Sequence, residues 1–167
     1  YGLDGNDEVR VVSVSTSISN FKSAACCDAL RLFYSGGCSR VLPTGMADNG
    51  RMKEDTPMLT VPLSRKGEAG DPLYKHTIEN LNDTAVVPAL IRNALTAQHD
   101  GNAVVVLTGP ATNLAAVLEV RGAKEIIASK VRFLAVMGGA YPTGDPAWHI
   151  KADIPDAPRQ FRAEHNT

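Results

Sequence analysis

Several features that mark common protein classes are missing from this chain of 167 residues. The net charge is only -1, and Lys and Arg are scattered along the chain, so there is no basic patch for nucleic acid or an anionic membrane. No apolar run approaches the roughly 18 residues of a membrane span. The sequence therefore predicts neither a nucleic-acid partner nor a membrane partner.

Cysteine is also scarce. Cys26, Cys27 and Cys38 form an odd set with an adjacent pair, which is a poor basis for a disulfide framework. No Cys/His spacing typical of zinc occurs, so we expect free and partly buried thiols. A dinucleotide G-x-G-x-x-G motif and a Walker lysine are lacking as well, which argues against the common phosphate-binding folds.

Apolar, β-branched segments alternate with segments of helical periodicity. This alternation predicts an α/β fold: a Rossmann-like open, mainly parallel sheet with helices on both faces, in one domain. Continuous apolar strands are typical of sheets covered on both faces. The predicted strands are 9–14, 40–42, 103–107 and 131–137, and the predicted helices are 21–34, 85–98, 111–119 and 124–130, with a further helix beginning near Pro155.

The first long helix and the segment after it carry specific expectations. Ser17, Ser19 and Asn20 offer N-cap oxygens to the helix 21–34. Helical spacing places three apolar residues on its inner face, namely Cys26, Leu30 and Phe33. Residues 43–72 are rich in Pro and Gly and predict a long irregular stretch, which in a compact domain is usually functional or mobile.

Two glycine-bearing turns follow apolar strands. Thr108-Gly-Pro-Ala-Thr-Asn113 leads from a strand into a helix, and Met137-Gly-Gly139 ends the next strand. Ligands of open α/β sheets bind outside the carboxyl ends of the strands, so we expect both turns to border one cleft. Taken alone, the first turn is better explained as a well-capped strand-to-helix connection, in which Thr112 and Asn113 satisfy free helix amides, and the second as a turn with a glycine pair.

Taken together, these two segments resemble the inosine/uridine-preferring nucleoside hydrolase family. The resemblance continues in Trp148-His-Ile-Lys-Ala-Asp153, where family members usually show Glu-Phe-Asn-Ile-x-x-Asp. It extends back to Asn20-Phe-Lys-Ser-Ala-Ala-Cys-Cys-Asp-Ala29 and so spans essentially the whole chain. The resemblance also implies that the chain is the central part of a single nucleoside hydrolase domain, lacking the first strand and the C-terminal portion.

The resemblance implies hydrolysis of the N-glycosidic bond of ribonucleosides to base and ribose. A bound Ca²⁺, which takes six to eight oxygen ligands, would hold ribose hydroxyls and a water. Thr108 matches the position whose backbone carbonyl ligates calcium, and Met137 matches a residue that contacts the ribose. Asn20, or alternatively Ser17 or Ser19, matches an Asn near ribose or base.

The sequence departs from the family at the ribose site. Ala147 and His149 stand where the family has Glu and Asn, and Ala147 cannot accept a hydrogen bond through its side chain. His149 still can bind a hydroxyl, and Asp145 is a nearby substitute acceptor. Losing a charged acceptor weakens binding by roughly 1.5–3 kcal/mol.

The family's Asp-rich cluster, which supplies calcium carboxylates and the catalytic base, has no counterpart here. No catalytic residue is therefore assigned, and the chain as given is expected to bind calcium poorly and to turn over little or nothing. The expected partner is a small ribonucleoside. A homo-oligomer is compatible with the resemblance, base preference is not specified, and cytoplasmic and exported locations both stay open because no signal region is present to decide between them.

Three hypotheses follow. The first is a nucleoside N-ribohydrolase, supported by the strand-end motifs. The second is a degenerate, non-catalytic binding or structural module on the same scaffold, supported by Ala147 and His149. The third is a dinucleotide- or phosphate-binding domain that uses the turn at Thr108, and it ranks lowest because its motifs are missing.

Overall fold

Helices and short strands alternate along residues 2–34, 42–48, 54–138 and 143–144, the parts of the chain that this computed structural model describes. A 3-10 helix, Leu81–Asp83, precedes the third strand. In chain order the other elements are α1 (Gly2–Gly5), β1 (Val14–Thr16), α2 (Phe21–Tyr34), β2 (Thr44–Met46), α3 (Pro57–Ser64), β3 (Ala85–Val86), α4 (Val87–Thr96), β4 (Ala103–Leu107), α5 (Thr112–Leu118), α6 (Ala123–Lys130) and β5 (Val131–Val136).

All pairings between these strands are parallel. One sheet has the order β1-β2-β3, and a second sheet pairs β4 with β5. The predicted fold class, an open and mainly parallel α/β arrangement of Rossmann-like type, is confirmed. The chain divides into two compact units between Val86 and Val87, and its assignment to a single domain stays a prediction. None of the described helices has the length and apolar character needed to cross a membrane.

The first predicted strand is misplaced. Residues 9–13 are not part of a strand, and β1 begins only at Val14. The preceding residues are tied to α1 instead, because the Val11 N–H donates to Asp4 Oδ1 at 2.9 Å and the Glu8 N–H donates to the Leu3 carbonyl at 3.0 Å. Local hydrogen bonding thus replaces strand pairing over most of this apolar segment.

The segment predicted to be irregular holds a strand and a helix. Leu42 lies outside any strand, residues 40 and 41 are outside the described residues, and β2 forms further on at Thr44–Met46. Helix α3 begins at Pro57, where the missing N–H of proline costs nothing because the first helical turn has no intrahelical acceptor for it. Proline was therefore an N-terminal signal here and not a breaker.

Helix α2 has the predicted bounds but not the predicted inner face. Its buried apolar residues are small: Ala24 and Ala25 are fully buried and form a core cluster with Met46 and Ile78. Leu30 and Phe33, which were expected inside, are 50% and 65% exposed. Alanine allows the helix backbone to lie close to β2, so the larger apolar side chains are left on another face of the helix.

A buried ion pair lies on that packed side of α2. Asp28, which is 2% exposed, accepts hydrogen bonds from Arg31 Nη2 at 2.7 Å and Nε at 3.0 Å. It also accepts from the Thr77 N–H at 2.6 Å and the Thr77 hydroxyl at 2.9 Å. Burial raises the pKa of Asp28, but the donors on Thr77 and Arg31 outweigh burial, so its pKa lies below the ordinary value.

The second unit is built around β4, β5 and three helices. The predicted strand 103–107 is confirmed, and α4, α5 and α6 match the predicted helices within a few residues at each end. Val87, Leu90, Leu107 and Val117 belong to the buried core. Val104, Val106 and Phe133 are exposed, so within the described residues one face of this sheet is not covered as the apolar pattern suggested.

The Asp28 ion pair supplies a stability test. Replacing Asp28 by Asn removes the carboxylate that pairs with the buried Arg31 and binds Thr77, so we expect the free energy of unfolding to fall by about 3 kcal/mol in urea titrations. Asp100→Asn is the matched control, because Asp100 pairs with Lys130 at an exposed site, and this variant should change stability little.

The same pair should respond to pH with a defined sign. Because the folded pKa of Asp28 is lowered, its stabilisation is fully present above the unfolded value of about 3.9. The stabilisation is lost as the pH falls through the folded pKa. The stability gap between wild type and Asp28→Asn should therefore narrow below about pH 4. A gap that is constant from pH 7 to pH 3 would contradict the ion-pair interpretation.

Candidate functional site

The two turns singled out in the sequence lie side by side. Strands β4 and β5 are parallel with Leu107 opposite Val136. The segments that follow the two strands therefore leave the sheet at the same edge, which is the one formed by the carboxyl ends of the strands. The Met137 N–H donates to the Leu107 carbonyl at 2.8 Å, which continues the pairing one residue past the end of β5. The two turns therefore begin next to each other at Thr108 and Met137, and their sharing of one cleft stays a prediction.

The side chains at this edge are accessible. Met137 is 55% exposed, and Thr108 and Gly138 are also exposed. Met137 lies beside glycine backbone, and glycine lets a ligand approach the main chain closely. The arrangement can supply contacts and main-chain hydrogen bonds, but these three residues carry no titratable group for proton transfer.

The helix that follows this edge begins differently from the prediction. Thr112 and Asn113 were expected to cap α5, but the N-cap is Ala111, and no side chain caps the helix there. Asn113 is buried in the second position of the helix. The N-cap position of α5 therefore carries no side chain that accepts a hydrogen bond from the helix amides.

Asn20, the third sequence candidate, lies in the first unit at the start of α2. Its side chain is only 6% exposed and its amide is engaged on both sides. Asn20 Oδ1 accepts from the Lys22 N–H at 2.9 Å, which makes Asn20 the N-cap, as predicted. Asn20 Nδ2 donates to Asp55 Oδ1 at 2.9 Å and to the Glu54 carbonyl at 3.3 Å. Its role in substrate binding stays a prediction.

A polar cavity of about 350 Å³ opens beside Asn20, past the carboxyl ends of β1 and β2. Lys22 forms an ion pair with Asp55, and the hydrogen bonds from Lys22 and Asn20 hold the pKa of Asp55 below its usual range. The residues that line this cavity are Ser19, Asn20, Phe21, Lys22, Asp48, Asp55 and Leu81. Cavities at this end of a parallel sheet are where ligands of such folds are found.

Sequence reasoning missed three charged residues of this cavity: Lys22, Asp48 and Asp55. The predicted strand was residues 40–42, whereas β2 is Thr44–Met46. Asp48 was therefore not recognised as a residue that closely follows a strand. Asp55 lies 35 residues from its partner Asn20, and no local pattern connects the two. A correct position for β2 would have pointed to Asp48, whereas Asp55 carried no local signal.

The remaining site candidates, His149 and Asp145, lie outside the described residues, as do Ala147 and Asp153. Thr108 would offer calcium one carbonyl oxygen, whereas the ion takes six to eight oxygens. Among the described residues no group of three or more His, Cys, Asp or Glu side chains is placed to hold a metal ion. The described donor set therefore does not fit Ca²⁺ by itself.

Capping by Asn20 can be tested through stability. Asn20→Ala removes the N-cap oxygen and the donor to Asp55, so we expect the free energy of unfolding to fall by about 1–2 kcal/mol. Asn102→Ala is the control, because Asn102 is exposed and lies outside any helix. Equal effects of the two substitutions in urea unfolding would show that Asn20 has no special structural role.

Comparison with known proteins adds no family assignment. No model of a known protein family matches the chain, and no curated protein gives a significant match. The resemblance to nucleoside hydrolases therefore rests on the sequence motifs alone.

Proposed function

We propose that this protein binds ribonucleosides and hydrolyses their N-glycosidic bond to free base and ribose. The observation that supports this function is the shared edge of β4 and β5, where the turns after Leu107 and Val136 start next to each other. The motifs at these turns, Thr-Gly-Pro-x-Thr-Asn and Met-Gly-Gly, are the ones in which the sequence resembles nucleoside hydrolases.

The chemistry of the edge agrees with a sugar ligand. The Met137 side chain offers an apolar surface for the carbon face of a ribose ring, and main-chain carbonyls after β4 can accept hydrogen bonds from its hydroxyls. In glycoside hydrolysis the transition state carries positive charge on the sugar, so acceptors near the ring stabilise it. Thr108 is the residue that we assign to such a carbonyl contact.

Calcium enters this proposal from the resemblance. When bound, Ca²⁺ would orient hydroxyls and lower the pKa of a water. The ion needs ligands in addition to Thr108, and no step is assigned to it from the described residues. Comparing the rate of base release with added Ca²⁺ and with a chelator tests the requirement for calcium.

A non-catalytic nucleoside-binding module is the second candidate. The residues that favour it are Ala147 and His149, which replace a carboxylate and an amide of the family motif. Such a module would keep the sugar-binding edge. It would lose the contacts to ribose hydroxyls that are stronger in the transition state than in the ground state. Binding without turnover would then be its signature.

Activity separates the two candidates. We expect the 167 residues alone to turn over little or nothing, and a longer form that also carries an Asp-rich calcium segment to release free base and ribose from inosine or uridine, with a rate that rises on addition of Ca²⁺ and falls with a chelator. Base release followed by chromatography and a reducing-sugar assay measures this directly. If the longer form binds nucleosides by calorimetry but releases no base, the non-catalytic module is supported. If it shows neither binding nor release, both candidates are refuted.

The altered ribose motif gives a second test. Restoring the family residues by Ala147→Glu with His149→Asn should strengthen nucleoside binding by roughly 1.5–3 kcal/mol, because a charged acceptor to a sugar hydroxyl is regained. Calorimetry with inosine and with its 2′,3′-dideoxy analogue tests whether the sugar hydroxyls are responsible. The gain in binding free energy should vanish for the analogue, because it lacks these hydroxyls. The same gain with both ligands would contradict this assignment of Ala147 and His149.

A further inference from the structure

An apolar concavity of the first unit lies between α2 and α3. It has a volume of about 530 Å³, within the range of roughly 300–1,000 Å³ typical of small-molecule sites. We refer to it as the α2–α3 groove. The described residues that line it are Cys26, Ala29, Leu30, Phe33, Tyr34, Met58, Val61, Pro62, Leu63, Arg65 and Tyr74.

Two elements and one hairpin build this groove. Cys26, Leu30 and Phe33 share one face of α2, which is the stripe that helical spacing picked out in the sequence. After α3 the chain turns back in a hairpin, where the Leu73 N–H donates to the Arg65 carbonyl at 2.9 Å. This hydrogen bond returns Tyr74 to the groove beside Arg65.

Aromatic side chains are concentrated here. The chain has four Phe, four Tyr and one Trp, and three of these residues line the groove. The ring of Phe33 lies 5.4 Å from that of Tyr34 and 6.4 Å from that of Tyr74, both edge to face. Phe33 and Tyr34 are nevertheless exposed, as is Met58 at the opposite side of the groove. Large apolar side chains grouped on an exposed concave surface are typical of binding sites.

The charge of the groove restricts its ligand. Arg65 is the one charged residue among the described lining residues, and no ion pair involves it in the part of the chain that the structure describes. A guanidinium group binds carboxylate, sulfonate or phosphate oxygens through paired N–H donors. An apolar aromatic surface with a single cation is complementary to a flat apolar ligand that carries one negative charge.

We propose that the α2–α3 groove binds a small aromatic anion, with its rings against Phe33 and Tyr74 and its acidic group toward Arg65. This site is independent of the proposed nucleoside site, since none of its residues belongs to the turns at Thr108 and Met137 or to the cavity beside Asn20. The ligand class follows from ring contacts and charge, and a neutral sugar or an ammonium ligand is not expected to bind.

The fluorescent aromatic sulfonate 1-anilinonaphthalene-8-sulfonate is a suitable probe. We expect it to bind the folded protein saturably with one site per chain. Phe33→Ala should weaken binding by about tenfold through the loss of aromatic contact. Arg65→Gln should weaken it by about threefold, as for an exposed charge pair, and should leave binding of the uncharged N-phenyl-1-naphthylamine unchanged.

Phe133→Ala and Arg132→Gln are the matched controls, because both residues are exposed and lie on β5, outside the groove. Near-ultraviolet circular dichroism establishes that each variant keeps its packed structure. The proposal fails if the probe does not bind, if several molecules bind per chain, or if the β5 variants weaken binding as much as the groove variants. If the chain self-associates in ultracentrifugation and the probe site is lost as it does so, the groove is a surface for a second copy of the chain. That result would also overturn the proposal.

Discussion

The parallel pairing of β4 and β5 is the constraint on which the proposed activity depends. In a parallel pair both chains run in the same direction, so the residues after Leu107 and after Val136 necessarily emerge at one edge. The hydrogen bond from the Met137 N–H to the Leu107 carbonyl extends this pairing one residue past the end of β5. Two segments that are about thirty residues apart in sequence thereby begin next to each other.

The first unit depends on a different interaction. Ala24 and Ala25 allow α2 to pack closely on Met46, and Asp28 on the same side of the helix holds Thr77 by two hydrogen bonds. The carboxylate is satisfied by Arg31 as well, which compensates the cost of burying it. This packing fixes the direction of α2, and with it the position of the cavity at its first turn and of the α2–α3 groove on its other side.

The two concavities of the first unit differ in chemistry for a physical reason. The cavity beside Asn20 lies past the carboxyl ends of strands, where helix starts and loops bring polar side chains together, and its members include Lys22 and Asp55. The groove lies between two helices, where apolar stripes face each other, and Phe33 and Tyr74 dominate it. Polar ligands are therefore expected at the former and aromatic ligands at the latter.

Local sequence was sufficient for elements whose signals are local. The N-cap at Asn20, the bounds of α2 and the strand Ala103–Leu107 were all predicted, because capping oxygens and apolar runs act within a few residues. The positions of β1 and β2 were not predicted. Strand formation at these positions requires a partner, and the partner is distant in sequence.

The sequence by itself thus determined two things. These are the alternation of helices with parallel strands, and the identity of the residues that lie where strands end. The tertiary structure decided which face of α2 is buried, because small residues and an ion pair outcompeted Leu30 and Phe33 for the packed side. It also decided the polar network of Asn20 and Asp55. Contacts over such distances depend on the packing of whole elements, and no short pattern of residues encodes them.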